Sequence, residues 1–182
     1  MVNSIKLLVA VTLLLLVIGI FMLSKRLRFF FSFKTVKIKK NESFWILLVA
    51  IILVLFTALS EYLRFESGSW WITVIGLLVY IFGIVLQFFV IKQRLDFKKG
   101  LPIKIEGIYA RLRYPGYAAL SLILFGLCLI FNSLWAVMIM IVLYIPALIY
   151  KMAQEDTVLA DIDENRFELY SAETNRIIPK VF

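Results

Sequence analysis

The sequence predicts an all-α, polytopic membrane protein with about five transmembrane helices. The last two form a helical hairpin, and a cytoplasmic C-terminal amphipathic helix follows them. Three observations carry that expectation. Of 182 residues, 63% are hydrophobic and 15% aromatic, whereas soluble domains average roughly 45–50% apolar residues. The apolar residues gather into five long runs instead of alternating with polar ones. Basic residues collect between alternate runs, as the positive-inside rule requires of cytoplasmic loops.

The runs cover Ile5–Leu23, Phe44–Ser60, Trp70–Ile91, Tyr117–Phe131 and Leu134–Tyr150. A spanning helix needs about 20 residues, with roughly 17 as the lower bound. The first three runs and the fifth meet that bound. The fourth is short, but only Asn132 and Ser133 separate it from the fifth, so the pair reads as a tight hairpin whose first helix begins near Tyr114. The first run reads as a retained span: only Lys6 marks its start, no small-residue cleavage site follows, and KRLR does. The expected organisation is a single membrane-embedded domain over 1–182. Three spans occupy 1–91, and a loop, the hairpin and the terminal helix occupy 92–182.

Seven Lys/Arg lie in Ser24–Ser43 and seven in Lys92–Gly116, against one in Glu61–Ser69 and none in Asn132–Ser133. This alternation places the N-terminus outside and both basic loops, with the tail, in the cytoplasm. The basic residues serve topology and attraction to anionic membrane lipids. No soluble basic face is evident for nucleic acid. The tail Lys151–Phe182 reverses the balance, with seven acidic residues to four basic. Glu155, Val158, Leu159 and Ile162 recur at helical spacing there, so the fifth span is expected to continue as an amphipathic helix, distorted near Pro146.

The net charge is +8 and histidine is absent, which removes the usual general base near neutral pH and the commonest metal ligand. No metal site is expected. Cys128, the single cysteine, lies within an apolar run and reads as a packing residue.

The stretch EGIYARLRYPGY (106–117) is denser in aromatic and cationic residues than a membrane boundary needs. It brings Tyr109, Arg111, Arg113, Tyr114, Pro115 and Tyr117 to the start of the hairpin, while Gln154, Glu155 and Asp156 leave its end. Both ends of a hairpin emerge at one membrane face. The two segments therefore form either a pocket for a polar cofactor or a set of ion pairs that fixes the hairpin. Phe125, Phe131, Trp135 and Tyr144 are candidates to border a lateral opening into lipid, or simply helix-packing surface.

Gly107-x-Tyr109-x-x-x-Arg113-Tyr114-Pro115-x-Tyr117 resembles the G-x-Y-x-x-x-R-H-P-x-Y signature of the isoprenylcysteine carboxyl methyltransferases, which are themselves similar to the phospholipid methyltransferases. Five of the six signature residues match. Downstream, Glu155-Asp156-x-x-Leu159, Phe167-x-x-Tyr170 and Arg176-x-x-Pro179 are similar to that family's E-E-x-x-L, Y-x-x-Y and R-x-I-P ending. The resemblance spans Glu106 to Pro179. Two positions depart from it: Tyr114 replaces a histidine, and Asp163-Glu164 replaces a Phe-Gly, which suggests one longer helix. Tyrosine, with an ordinary pKa of about 10, donates a hydrogen bond but accepts a proton poorly at neutral pH.

The resemblance implies methyl transfer from S-adenosylmethionine to a lipophilic acceptor, a small molecule or a prenylated or lipid substrate, at the cytoplasmic face. It implies roles for Arg113 and Arg176 at anionic groups and for Glu155 at the cofactor's amine or ribose. Tyr109, Tyr114, Pro115, Tyr117, Gln154 and Asp156 would complete the cofactor wall. Membrane sterol reductases share part of the pattern, with R-Y-P-N-Y near Arg113–Tyr117, so an NADPH-dependent oxidoreductase is the enzymatic alternative. A catalytically lapsed membrane scaffold is the other.

Overall fold

The computed structural model describes residues 42–64, 68–95, 107–162 and 164–177. They belong to one compact unit, Ile38–Phe182; the other unit, Met1–Lys37, lies outside the described residues. The expected first span Ile5–Leu23, most of the first basic connection, residues 96–106 of the second and Pro179 lie outside them as well.

The described chain is helical, and its only β-type pairing is an isolated parallel bridge between Leu112 and Asn175. Helix α1 (Glu42–Arg64) opens on an acidic residue, which complements the positive end of the helix dipole. Ser43, Leu47, Ala50, Val54 and Ala58 form its buried stripe at three- and four-residue spacing. Its other faces carry Trp45, Ile46, Val49, Ile52 and Phe56, all half exposed or more. A helix that is apolar all round needs a surrounding that is itself apolar.

Helix α2 (Trp70–Leu95) packs on α3 (Pro115–Ile130) more closely than any other two elements meet. Glycines permit it. A Cβ on Gly76 would stand 2.6 Å from the Ile130 nitrogen, one on Gly83 2.9 Å from the Ile123 nitrogen, and one on Gly126 2.6 Å from the Tyr80 nitrogen. As numbers rise along α2 they fall along α3, so the two run antiparallel with backbones in near contact, the small-residue packing of membrane helices.

Helix α3 starts with Pro115 at its first turn, where a missing N–H costs nothing, and ends at a turn in which Asn132 adopts φ 52°. Ser133 caps the next helix by accepting from Ala136 N at 3.1 Å. That helix, α4 (Leu134–Ile139), passes through a π-helical turn at Met140–Tyr144 into α5 (Ile145–Ile162). The distortion expected near Pro146 takes this form, since proline cannot donate to the preceding turn. Helix α6 (Glu164–Glu173) follows, and the expectation of one longer helix through Asp163-Glu164 falls on Asp163, which lies outside the described residues. Helix α1 packs on α4, the π turn and α5, and more lightly on α3.

Three described helices are long and apolar enough to cross a membrane: Glu42–Leu63, Trp70–Gln93 and Leu134–Asp161. The fourth expected span, α3, has 16 residues and falls short of the spanning length; at 1.5 Å per residue it reaches about 24 Å. The fifth is longer than its apolar run, because it carries Lys151, Glu155 and Asp156 as buried residues of the same continuous helix.

Candidate functional site

The turn entering α3 and the chain leaving α6 are tied by backbone before any side chain meets. Asn175 N donates to Arg111 O (3.2 Å), Arg113 N to Asn175 O (2.8 Å) and Tyr114 N to Arg176 O (3.0 Å). The Tyr170 hydroxyl, on α6, donates to Tyr109 O at 3.0 Å. One turn earlier, Gly107 has φ +65°, and Ile108 N donates to Gln93 Oε1 at 3.0 Å, fastening the segment to the end of α2. A side chain on Gly107 would collide with Gln93 as well as strain the backbone.

This ladder places Arg113 and Arg176 on either side of Asp156. Arg113 Nη1 lies 3.3 Å from Asp156 Oδ1, and Arg176 Nε 3.0 Å from Oδ2. The Tyr114 hydroxyl donates to Oδ1 at 2.7 Å. Asp156 thus has three donors while its side chain is only 10% exposed. Burial first, then the charges of Asp156 and Glu155, hold the Tyr114 phenol far above its ordinary range, so it remains a donor. Arg113 also lies over the Phe167 ring at 5.9 Å, and its Nε is buried with no hydrogen-bond partner among the described residues.

Glu155 anchors a second cluster. The Tyr117 hydroxyl donates to its Oε1 at 2.7 Å, and Lys151 Nζ lies 3.2 Å from the same oxygen. Lys151 and Glu155 are 3% and 4% exposed. The Tyr114 and Tyr117 rings stand 5.7 Å apart and join the clusters. Deeper in the bundle, the hydroxyls of Ser121 on α3 and Tyr144 in the π turn pair at 3.0 Å.

Of the residues expected at a site, Arg113, Tyr114, Tyr117, Glu155, Asp156 and Arg176 converge. Pro115 is fully buried as the start of α3, and Tyr109 contributes its carbonyl to Tyr170. Gln154 does not join them: it donates to the Tyr150 hydroxyl at 2.8 Å on the exposed face of α5. Arg111 is exposed. Phe131 and Trp135 lie at the hairpin turn, at the opposite end of α3, and so border nothing near Asp156. Phe131 packs on Tyr62 there, and Tyr144 is wholly buried. Lys151 was missed as a site residue, although its place one turn before Glu155 on the same helix face was open to reading.

The arrangement offers two carboxylates, three cations and three phenols at the N-terminal end of α3. Among the described residues no cluster of metal-ligating side chains occurs. Compared with protein-family models, curated proteins and solved structures, the chain matches none.

Proposed function

We propose that this chain is an integral membrane methyltransferase that moves a methyl group from S-adenosylmethionine to a lipophilic acceptor. The single observation supporting it is the meeting of the two signature blocks. Arg113, Tyr114 and Tyr117 come from one block, Glu155, Asp156 and Arg176 from the other, and all close into one partly buried polar cluster. The blocks lie 43 residues apart at the Arg113–Asp156 pair.

The donor set suits the cofactor. Bound there, S-adenosylmethionine supplies a methyl already activated on a sulfonium. The chain's task is then alignment, which can account for much of the rate. Glu155 is assigned to the cofactor's amine or ribose, Arg113 and Arg176 to anionic groups, since guanidinium grips carboxylates in a bidentate fork. Tyr114 and Tyr117 wall the pocket. A carboxylate acceptor arrives deprotonated and needs no base, so the absence of histidine is tolerated. The cluster faces the cytoplasm, by the distribution of Lys and Arg in the sequence.

A second reading, a lapsed enzyme serving as scaffold, is favoured by the saturation of Asp156 with internal donors. The two separate by experiment. Purified protein in mixed micelles with tritiated-methyl S-adenosylmethionine and either a prenylcysteine analogue or a total lipid extract should yield organic-extractable label. Cofactor binding without any labelled product would favour the scaffold.

A further inference from the structure

The buried residues of the α4–α5 helix keep an interval that an α-helix does not. Ala136, Met140, Tyr144, Leu148, Met152 and Asp156 recur at every fourth residue, and none is more than 7% exposed. An α-helix turns about 100° per residue, so every fourth position drifts by about 40°. From Ala136 to Asp156 the drift would reach about 200°, which puts Asp156 on the opposite side of the helix from Ala136. The π turn prevents this. Before it, Met140 N donates to Ala136 O, four residues back; at its end Ile145 N donates to Met140 O, five back. A turn closed over five residues holds one more than an α turn. It takes back about 100°, one residue's rotation, and the drift that remains fits the roughly 100° arc of a core-facing stripe.

The turn is also fastened to α3. Tyr144, its last residue, is wholly buried, and the hydroxyl lies 3.0 Å from Ser121 Oγ. Ser121 spends its one proton on Tyr117 O at 2.9 Å, so the Tyr144 hydroxyl is the donor. This pair stands one helical turn along α3 from Tyr117, whose own hydroxyl reaches Glu155.

We infer that the π turn is the register element of the site. By holding one residue more than an α turn it keeps Glu155 and Asp156 facing Tyr117 and Tyr114, and the Tyr144–Ser121 pair pins it in place. This holds whatever ligand the cluster takes, and so stands apart from the methyltransferase reading.

Two variants of the full chain in detergent test it, one lacking the exposed Val142 and one with an alanine inserted after it. Loss of a residue lets the turn close as α-helix with both flanking faces unmoved. An added residue finds the turn already filled and rotates Glu155 and Asp156 by about 100°. Tyr114→Phe is the reporter in each background, because the hydroxyl it removes bonds Asp156 only while that carboxylate faces it. Tyr114→Phe should lower the unfolding midpoint by several degrees in the wild type and in the variant lacking Val142, and not at all in the insertion variant. An insertion variant that is never monodisperse, beside a deletion variant that is, shows the same asymmetry and supports the assignment. The same deletion and insertion at the exposed Leu78, within the regular helix α2, should harm the fold alike. Equal damage or equal tolerance at Val142 overturns the assignment, as does a matching asymmetry at Leu78.

Discussion

Tyr114 donates its phenolic hydrogen to Asp156 across 2.7 Å, tying the first turn of α3 to the middle of α5. The phenol reaches the carboxylate directly and stays protonated, so it acts as a donor. Tyr114→Phe should therefore destabilise the folded chain by about 1–3 kcal/mol, the cost of leaving a buried carboxylate one donor short. Thermal unfolding in detergent checks this.

Asp156 is the larger keystone. Asp156→Ala leaves the nearly buried Arg113 without its anion, and a broken buried pair costs about 3–5 kcal/mol. Asp156→Asn keeps a hydrogen-bond acceptor and should lose less. Equal stability of both variants to the wild type, by unfolding midpoint, would show that the network is ornamental.

The α2–α3 contact predicts a graded glycine series. Gly83→Ala and Gly126→Ala put a methyl within 2.9 Å of backbone on the facing helix, so the helices must part; about 1–3 kcal/mol is expected, as for overpacked cores. Gly116→Ala meets only Val90 Cγ1 at 3.8 Å and should be neutral to within about 0.5 kcal/mol, as surface changes are. A reversed order would contradict the packing.

Alkaline pH gives a signed prediction. The Tyr114 and Tyr170 phenols are both raised, burial being the main cause. A raised phenol keeps its proton in the folded chain while the unfolded chain ionises near pH 10. Its stabilising contribution is thus fully present below about pH 10 and is lost as pH rises further, at up to about 1.4 kcal/mol per pH unit per group. Tyr114→Phe should flatten that decline by one group's share, measured as unfolding midpoint between pH 9 and 11.

Much of the fold was legible because membrane helices declare themselves by length and apolar composition. The boundaries of α1 and α2 lie close to their apolar runs, and two residues between apolar runs sufficed to read the hairpin. The pairing of Arg113 with Asp156 was legible too, since a hairpin returns both ends to one face. Three features were not. The continuation of the fifth helix past Tyr150 was expected, but the burial of Lys151 and Glu155 within it was not, because composition marks an ionisable residue as the end of a run whether or not a partner neutralises it. The π turn leaves no compositional trace beyond Pro146. The backbone bridge of Leu112 to Asn175, which orients both arginines, depends on main-chain geometry that no side-chain pattern encodes.

The most direct test of the account is calorimetric titration of the detergent-purified chain and its Glu155→Ala variant with S-adenosylmethionine, S-adenosylhomocysteine and NADPH in parallel. Micromolar binding of both adenosyl compounds by the wild type, lost in Glu155→Ala while the variant stays monodisperse, is the predicted result. Binding of NADPH alone, or adenosyl binding untouched by the loss of Glu155, would contradict it.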